Sequence, residues 1–94
     1  MNEEYAKKLL AEEGWTDIFV QEDDPHTFYP PHTHEVDAAH IVIKGSMILT
    51  MGKEARIVKE GQRVDVPAFA VHSAKVGSDG CTYVIGRRTQ INKS

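Results

Sequence analysis

The chemistry open to this 94-residue chain lies in five histidines: His26, His32, His34, His40 and His72. Neutral imidazole is the ligand type that suits zinc, iron, nickel and copper, so what matters is which of the five converge. His32-Thr33-His34 sets two imidazoles two residues apart. On a β-strand that spacing puts both on one face, as a chelating pair. His40 follows in the apolar segment Ala38 to Lys44. Alternation there places Ala38, His40 and Val42 on one face and Ala39, Ile41 and Ile43 on the other, so an inward Ala38 carries His40 inward with it. His72 opens a distant segment, just after the turn-prone Pro67-Ala68-Phe69-Ala70. Three converging imidazoles with an open position would make a metal site that still takes water or substrate. His26, in an Asp-Pro-His turn, reads as exposed and inert.

Positioning those side chains requires strands. Residues 1–14 read as an N-terminal helix: Asn2 caps it, Glu3 and Glu4 sit at the positive end of the dipole, and Gly14 stops it. Glu3 with Lys7 and Glu4 with Lys8 are spaced for ion pairs. Tyr5, Ala6, Leu9, Leu10 and Glu13 share one side, whose apolar members should pack on the domain or on a second subunit. From Trp15 the period changes. Strands are expected at Trp15 to Gln21, Phe28 to His32, Ala38 to Lys44, Ser46 to Met51, Ala55 to Lys59, Arg63 to Val66, His72 to Val76 and Thr82 to Arg88. Between them lie the breaks Glu22-Asp23-Asp24-Pro25, Gly52-Lys53, Glu60-Gly61 and Gly77-Ser78-Asp79-Gly80. Short strands at this spacing indicate an all-β sandwich or barrel, here over residues 15–88. Residues 89–94 form a polar tail expected to fray.

Bulk properties narrow the function. The length suits one domain, small enough that metal binding or subunit pairing would add useful stability. The formal net charge is −3, with no basic stripe, which disfavours nucleic acid and anionic membrane as partners. There is no apolar run long enough to span a bilayer, and the start Met1-Asn2-Glu3-Glu4 is unlike a secretory signal. The single cysteine, Cys81, cannot form an intrachain disulfide. These features point to the cytoplasm. Cys81 itself reads as a small buried hydrophobe.

Two ordered motifs resemble those of the cupin superfamily. Pro31-His32-Thr33-His34-Glu35 through Lys44-Gly45 matches the His-x-His pair and closing hairpin glycine of its first motif. Gly61-Gln62-Arg63-Val64-Asp65-Val66-Pro67 through His72 matches the glycine, proline and histidine of its second. The spacer between them, Ser46 to Glu60, suits a minimal one-domain member. The resemblance covers about Phe28 to Arg88. It implies an all-β double-stranded β-helix, the cupin jelly-roll barrel, with a short N-terminal α-helix. It also implies one divalent transition metal ion (zinc, iron, manganese or nickel) inside one mouth, on His32, His34 and His72. Small cupins commonly form homodimers, and the helix with the Trp15 to Gln21 strand is the expected interface.

The departures are specific. Counting back from Gly45, the motif's glutamate ligand falls on Ala38, which cannot coordinate. Phe69 stands where the second motif has glycine, and the first motif's opening glycine is absent. His40 lies two residues past the ligand position, an advance of roughly 6.7 Å. It is either a fourth metal ligand or a cavity residue acting as acid, base or donor. Glu35 and Asp37 read as solvated rim charges. Phe28 and Pro30 share the parity of His32 and should line the wall, with Tyr29 facing out and Phe69 over the site. Val42, Ala74 and Val76 are inward by parity. In the last strand either Tyr83, Ile85 and Arg87 point inward, or Thr82, Val84 and Arg88 do. An inward arginine would bind a substrate carboxylate bidentately, but the preferred reading leaves Arg87 and Arg88 exposed at the strand end. The function expected is that of a small-molecule metalloenzyme, an oxygenase or an isomerase, lyase or hydrolase, with His40 as its candidate acid or base. The alternative is a non-catalytic ligand- or metal-binding module with a closed four-histidine site. A third reading is an interaction protein whose histidines are satisfied core groups.

Overall fold

Two long strands organise the molecule. In the computed structural model, which describes residues 1–89, helix α1 (Glu3–Glu12) precedes β1 (Asp17–Asp23), β2 (Phe28–His32), β3 (Val36–Met51), β4 (Glu54–Lys59), β5 (Arg63–Val66) and β6 (His72–Thr89). β3 and β6 pair antiparallel along nearly their whole lengths, from Val36 opposite Thr89 to Met51 opposite His72. The first half of β3 also pairs with β5, and the second half with β4. The early half of β6 pairs with β2, and the late half with β1. Two four-stranded halves result, β1-β6-β3-β5 and β2-β6-β3-β4, joined by the strands they share. This is the expected jelly-roll barrel with its N-terminal helix.

The strand pairs expected on either side of Gly45, and of Gly77 to Gly80, are each one continuous strand. Gly45 is not a hairpin tip. The ladder shifts register between Val42 and Lys44 and again between Gly45 and Met47, and bulges of this kind bend a strand without ending it. Gly45 has φ +82°, and a Cβ there would collide with the carbonyl oxygen of Gly80. β1 likewise starts two residues later than expected and runs to Asp23, absorbing the first half of the polar break. The polar tail begins within β6, since Thr89 pairs with Val36; residues 90–94 lie outside the described region.

Alternation along β3 sorts the core into two clusters. Val42, Met47, Leu49, Val58, Val64, Val66, Val76 and Ile85 fill the barrel interior. Ala39, Ile41 and Val84 face the other way and are covered by Ala6, Leu10 and Trp15. The helix therefore spends its apolar side on its own domain: Ala6 and Leu10 are fully buried, while Tyr5 is exposed. A ten-residue helix is marginal alone, and full burial of Leu10 supplies about 2 kcal/mol of docking energy. Asn2 caps α1 by accepting from the Tyr5 backbone N–H at 2.8 Å, and Gly14 stops it at φ +93°. Lys7 pairs with Glu3 at 2.9 Å. At the other end Arg63 forks onto both oxygens of Glu13, 2.7 Å each. Arg88 lies over the Trp15 indole at 4.0 Å and donates to the Glu13 carbonyl. No helix among the described residues is long and apolar enough to cross a membrane.

Two outcomes follow. Gly45→Ala adds left-handed strain and a backbone collision, and should lower the unfolding free energy by about 3 kcal/mol or more in urea titration. Arg63, more than any other group, holds the Glu13 carboxyl down at about 2, against an ordinary 4.5. A depressed carboxylate stabilises above its unfolded value and loses that contribution as pH falls through its folded one. Glu13→Gln should therefore be less stable than the parent at pH 7, by at most about 1 kcal/mol because the pair is exposed. The gap should close as pH falls from 4.5 toward about 2.

Candidate metal centre

The two-residue spacing and the distant strand meet as expected. β2 ends on His32, His34 follows in the connection to β3, and His72 opens β6 directly opposite His32. The rings of His32 and His72 lie 4.2 Å apart, those of His32 and His34 4.8 Å, and those of His34 and His72 5.3 Å. One ligand nitrogen from each falls within 4.8 Å of the others, and together they could hold a metal ion.

The ring orientations suit that role. The backbone carbonyl of Pro30 lies 2.6 Å from His32 Nδ1, and that of Ala70 lies 3.0 Å from His72 Nδ1. A carbonyl only accepts, so both Nδ1 atoms carry a proton, and in the neutral ring the lone pair then lies on Nε2. Fixing the tautomer through the other ring nitrogen is how metal-binding histidines are usually oriented. Burial, the neighbouring His32 and His72, and Arg87 all lower the His34 pKa, which favours the neutral, ligating form.

A cavity of about 210 Å³ opens over the three rings. His40 reaches it by the parity expected of β3, yet stands outside the 4.8 Å group. Its Nδ1 is buried and has no hydrogen-bond partner among the described residues. Burial chiefly drives its pKa down to about 4, with a backbone contact to Val64 opposing, so the ring is neutral at physiological pH. Ala38 is buried opposite Val66 and Arg87 and supplies no donor. His26 and Glu35 are exposed. Asp37 is more than a rim charge: its Oδ1 accepts the Ala68 backbone N–H at 2.8 Å and ties down the loop before His72.

Several wall residues differ from expectation. Tyr29 lines the cavity, while Phe28 and Pro30 are exposed. The pairing of β2 shifts between Tyr29 and His32, across Pro30-Pro31. Proline has no N–H for the ladder and interrupts regular pairing, so parity counted back from His32 fails there. Phe69 does not cover the site; it is 63% exposed. In β6, Tyr83, Ile85 and Arg87 face inward, and Ala74 joins them on the wall. Arg87 is thus a cavity residue, and Arg88 is the arginine on the outer face. Cys81 is buried as expected, its thiol pushed up to about 11 by burial.

Sequence reasoning missed one network altogether. Asp23 accepts from Tyr29 at 2.8 Å and Gln21 at 2.9 Å on one oxygen, and from Tyr83 at 2.7 Å on the other. Burial first, and then the bond to Asp23, raise both phenol pKa values, so both stay protonated as donors. In sequence Asp23 sits among charges before a proline; the Pro30-Pro31 pair was the only sign that Tyr29 would turn inward to meet it.

The model of the cupin domain family matches residues 19–85, most of the chain. The chain is a cupin. No curated protein sequence matches it significantly. Among solved structures, it resembles the DMSP lyase DddQ from Ruegeria pomeroyi, with TM-score 0.71 and 18% identity over 82% of this chain and 40% of that one. The Cnp3 cupin domain of Schizosaccharomyces pombe gives TM-score 0.74 and 16% identity over 83% and 55%. A cupin superfamily protein of Desulfitobacterium hafniense gives 0.72 and 12% over 82% and 70%. This cupin spans less than half the length of the DddQ chain, and at these identities the likeness is one of fold.

Asp23→Ala tests the buried network of this cupin. It removes the acceptor of three donors and leaves two inward phenols unsatisfied. A loss of about 3 kcal/mol is expected in urea titration, with Tyr29→Phe costing clearly less.

Proposed function

We propose that this cupin is a metal-dependent enzyme acting on a small molecule, with His32, His34 and His72 holding one divalent transition metal ion. The carrying observation is the pair of carbonyl-bound Nδ1 atoms on His32 and His72, which leaves two Nε2 lone pairs beside His34 in an open cavity. All three donors are imidazoles, compatible with zinc, iron or nickel and, within this family, manganese. Three protein ligands leave coordination positions for substrate or water, the arrangement that oxygenase, isomerase and lyase chemistry needs. The bound ion would act as a Lewis acid on the substrate.

The chain's own residues do the rest. The cavity, at about 210 Å³, lies below the range typical of drug-sized ligands and suits a smaller molecule. Met47, Leu49, Ala74 and Ile85 give it an apolar side that excludes water. His40, neutral and inward, is the candidate base or acid, because its free Nδ1 has no competing partner. The likeness to a DMSP lyase is compatible with lyase chemistry but does not name the substrate of this chain.

The orphaned Nδ1 of His40 also favours a second reading, a closed four-histidine site that binds metal or ligand without turnover. Elemental analysis of protein prepared without chelator separates the cases. The parent should carry about one metal ion per chain, and His32→Ala/His72→Ala none; negligible metal in both, even after dialysis against zinc, iron, manganese or nickel, refutes the site. His40→Ala should retain metal if His40 acts from the wall. A loss of metal as complete as that of His32→Ala/His72→Ala would make His40 a ligand and favour the closed module, since residues that only orient ligands already cost about 10- to 100-fold in affinity. Chelation of the parent should lower Tm, since the ion stabilises only the folded chain.

A further inference from the structure

Arg87 faces the cavity, and no described residue forms an ion pair with it. It makes no side-chain hydrogen bond or ion pair among the described residues, and its Nε is buried and unsatisfied. Among the described residues its one specific side-chain contact is the face of Phe19, 5.1 Å away, which supports the guanidinium plane and supplies no charge. A buried N–H donor left unpaired in this way is costly. Of the acids nearby, Asp23 is held by Gln21, Tyr29 and Tyr83, and Asp37 by the Ala68 N–H, while Asp17 is exposed on β1.

Arg87 lies between two ladder partners, Asp17 on β1 and Ala38 on β3. Directly opposed side chains share a face, with Cβ atoms about 5 Å apart. On the β3 side a carboxylate at position 38 would meet the guanidinium inside the barrel, and a methyl group stands there instead. Asp17 is exposed and forms no ion pair with Arg87, so an anion entering the cavity can supply the missing charge. Apart from Arg87, the lining side chains are three clustered imidazoles, neutral His40, two protonated phenols, an amide and apolar groups. A bound metal ion would only add positive charge.

We propose that the ligand of this cavity is a small carboxylate, held by Arg87 in the place that Ala38 leaves empty. Arginine's planar fork matches a carboxylate with two parallel N–H···O bonds. Phosphate fits less well. Its usual cradles are helix N-termini and backbone nests, whereas this wall is built of strand side chains and the α1 helix packs on the opposite face of the sheet. The phenols add a second requirement. Each spends its only proton on Asp23, so toward the cavity their oxygens can only accept. A carboxylate that also carries a hydroxyl or amine donor fits this wall better than one that does not.

The inference names a substrate class for the site proposed above, and so rests on that cavity being the ligand site; its test needs no metal and no activity. The Nε–H of Arg87 gives its own signal in nitrogen-15 NMR spectra, assigned by its absence from Arg87→Lys. In metal-free protein, propionate should shift that signal saturably, with Kd in the millimolar range; propanamide, the uncharged counterpart, should not. 3-Hydroxypropanoate should bind more tightly than propionate. Arg87→Lys should weaken propionate at least about tenfold, read from neighbouring backbone amides. Ala38→Glu should abolish binding by filling the place from within; its dispersed spectrum reports whether it folds. An unsaturable shift in the parent, an equal response to propanamide, or tighter binding of inorganic phosphate overturns the proposal. Propionate binding in a chain that takes up no metal would sustain the carboxylate site and remove the metal centre. Metal uptake without propionate binding would do the reverse.

Discussion

The β3–β6 ladder is the constraint on which everything else depends. Each of these strands is too long to lie in one flat sheet, and each serves both halves of the barrel, so the ladder must bend without breaking. It bends where Gly45 meets Gly80, because only there can two backbones approach this closely at positive φ. The bend decides what faces inward. Before it, β3 sends His40 and Val42 into the interior; after it, Met47 and Leu49 point the same way, although an unbroken period of two would have put them on opposite faces. The early half of β6 then brings His72 against His32, while the late half brings Tyr83 and Arg87 over the same cavity.

Most of this was legible in the chain, and the failures share one cause. The histidine positions, the inward parity of β3, the capping of α1 and the N-terminal residues of β6 followed from local periodicity and motif order. What local periodicity cannot see is a change of register. Gly45 read as a strand end because glycine usually punctuates, and only the opposing Gly80 backbone explains why the strand continues through it. Parity failed at Tyr29 for the same reason, since Pro30-Pro31 shifts the pairing. Local parity left two inward sets open in the last strand and favoured exposed arginines; only the pairing of Ala38 with Arg87 sets the face of Arg87. Asp23 stayed hidden because its partners come from three strands, and the carboxylate looked like one of a run of turn charges.

The cavity has two polar walls with opposite needs. On one side, imidazoles that are neutral or held in a single tautomer present lone pairs, and Arg87 adds a fixed positive charge. On the other, Asp23 takes the protons of Tyr29 and Tyr83, which leaves acceptor oxygens facing in. Arg87 depresses the pKa of both His34 and His40, so the guanidinium also helps to keep those rings unprotonated. A carboxylate at position 38 would cancel that charge. The alanine there has two consequences at once: it deletes a candidate ligand, and it leaves the field of Arg87 acting on the imidazoles and on whatever enters.

The loop before β6 shows how firmly the chain fixes one of those imidazoles. Phe69 adopts φ +67°, a left-handed conformation that costs a bulky residue about 1–3 kcal/mol and that glycine would adopt freely. Three hydrogen bonds hold it there: Phe69 N–H to the His34 carbonyl, Ala68 N–H to Asp37, and Ala70 N–H to the Pro67 carbonyl. The strained turn throws the phenyl ring outward, which is why it does not cover the site. It also aims the Ala70 carbonyl at His72 Nδ1. The same loop is therefore bonded to His34 at its backbone and to His72 at its ring. Two of the three clustered histidines are thus set by one turn, and the third by the Pro30 carbonyl immediately upstream. Such strain persists only where surrounding contacts over-determine it. Here those contacts orient imidazoles, so the backbone energy stored at Phe69 is tied to the geometry of the site.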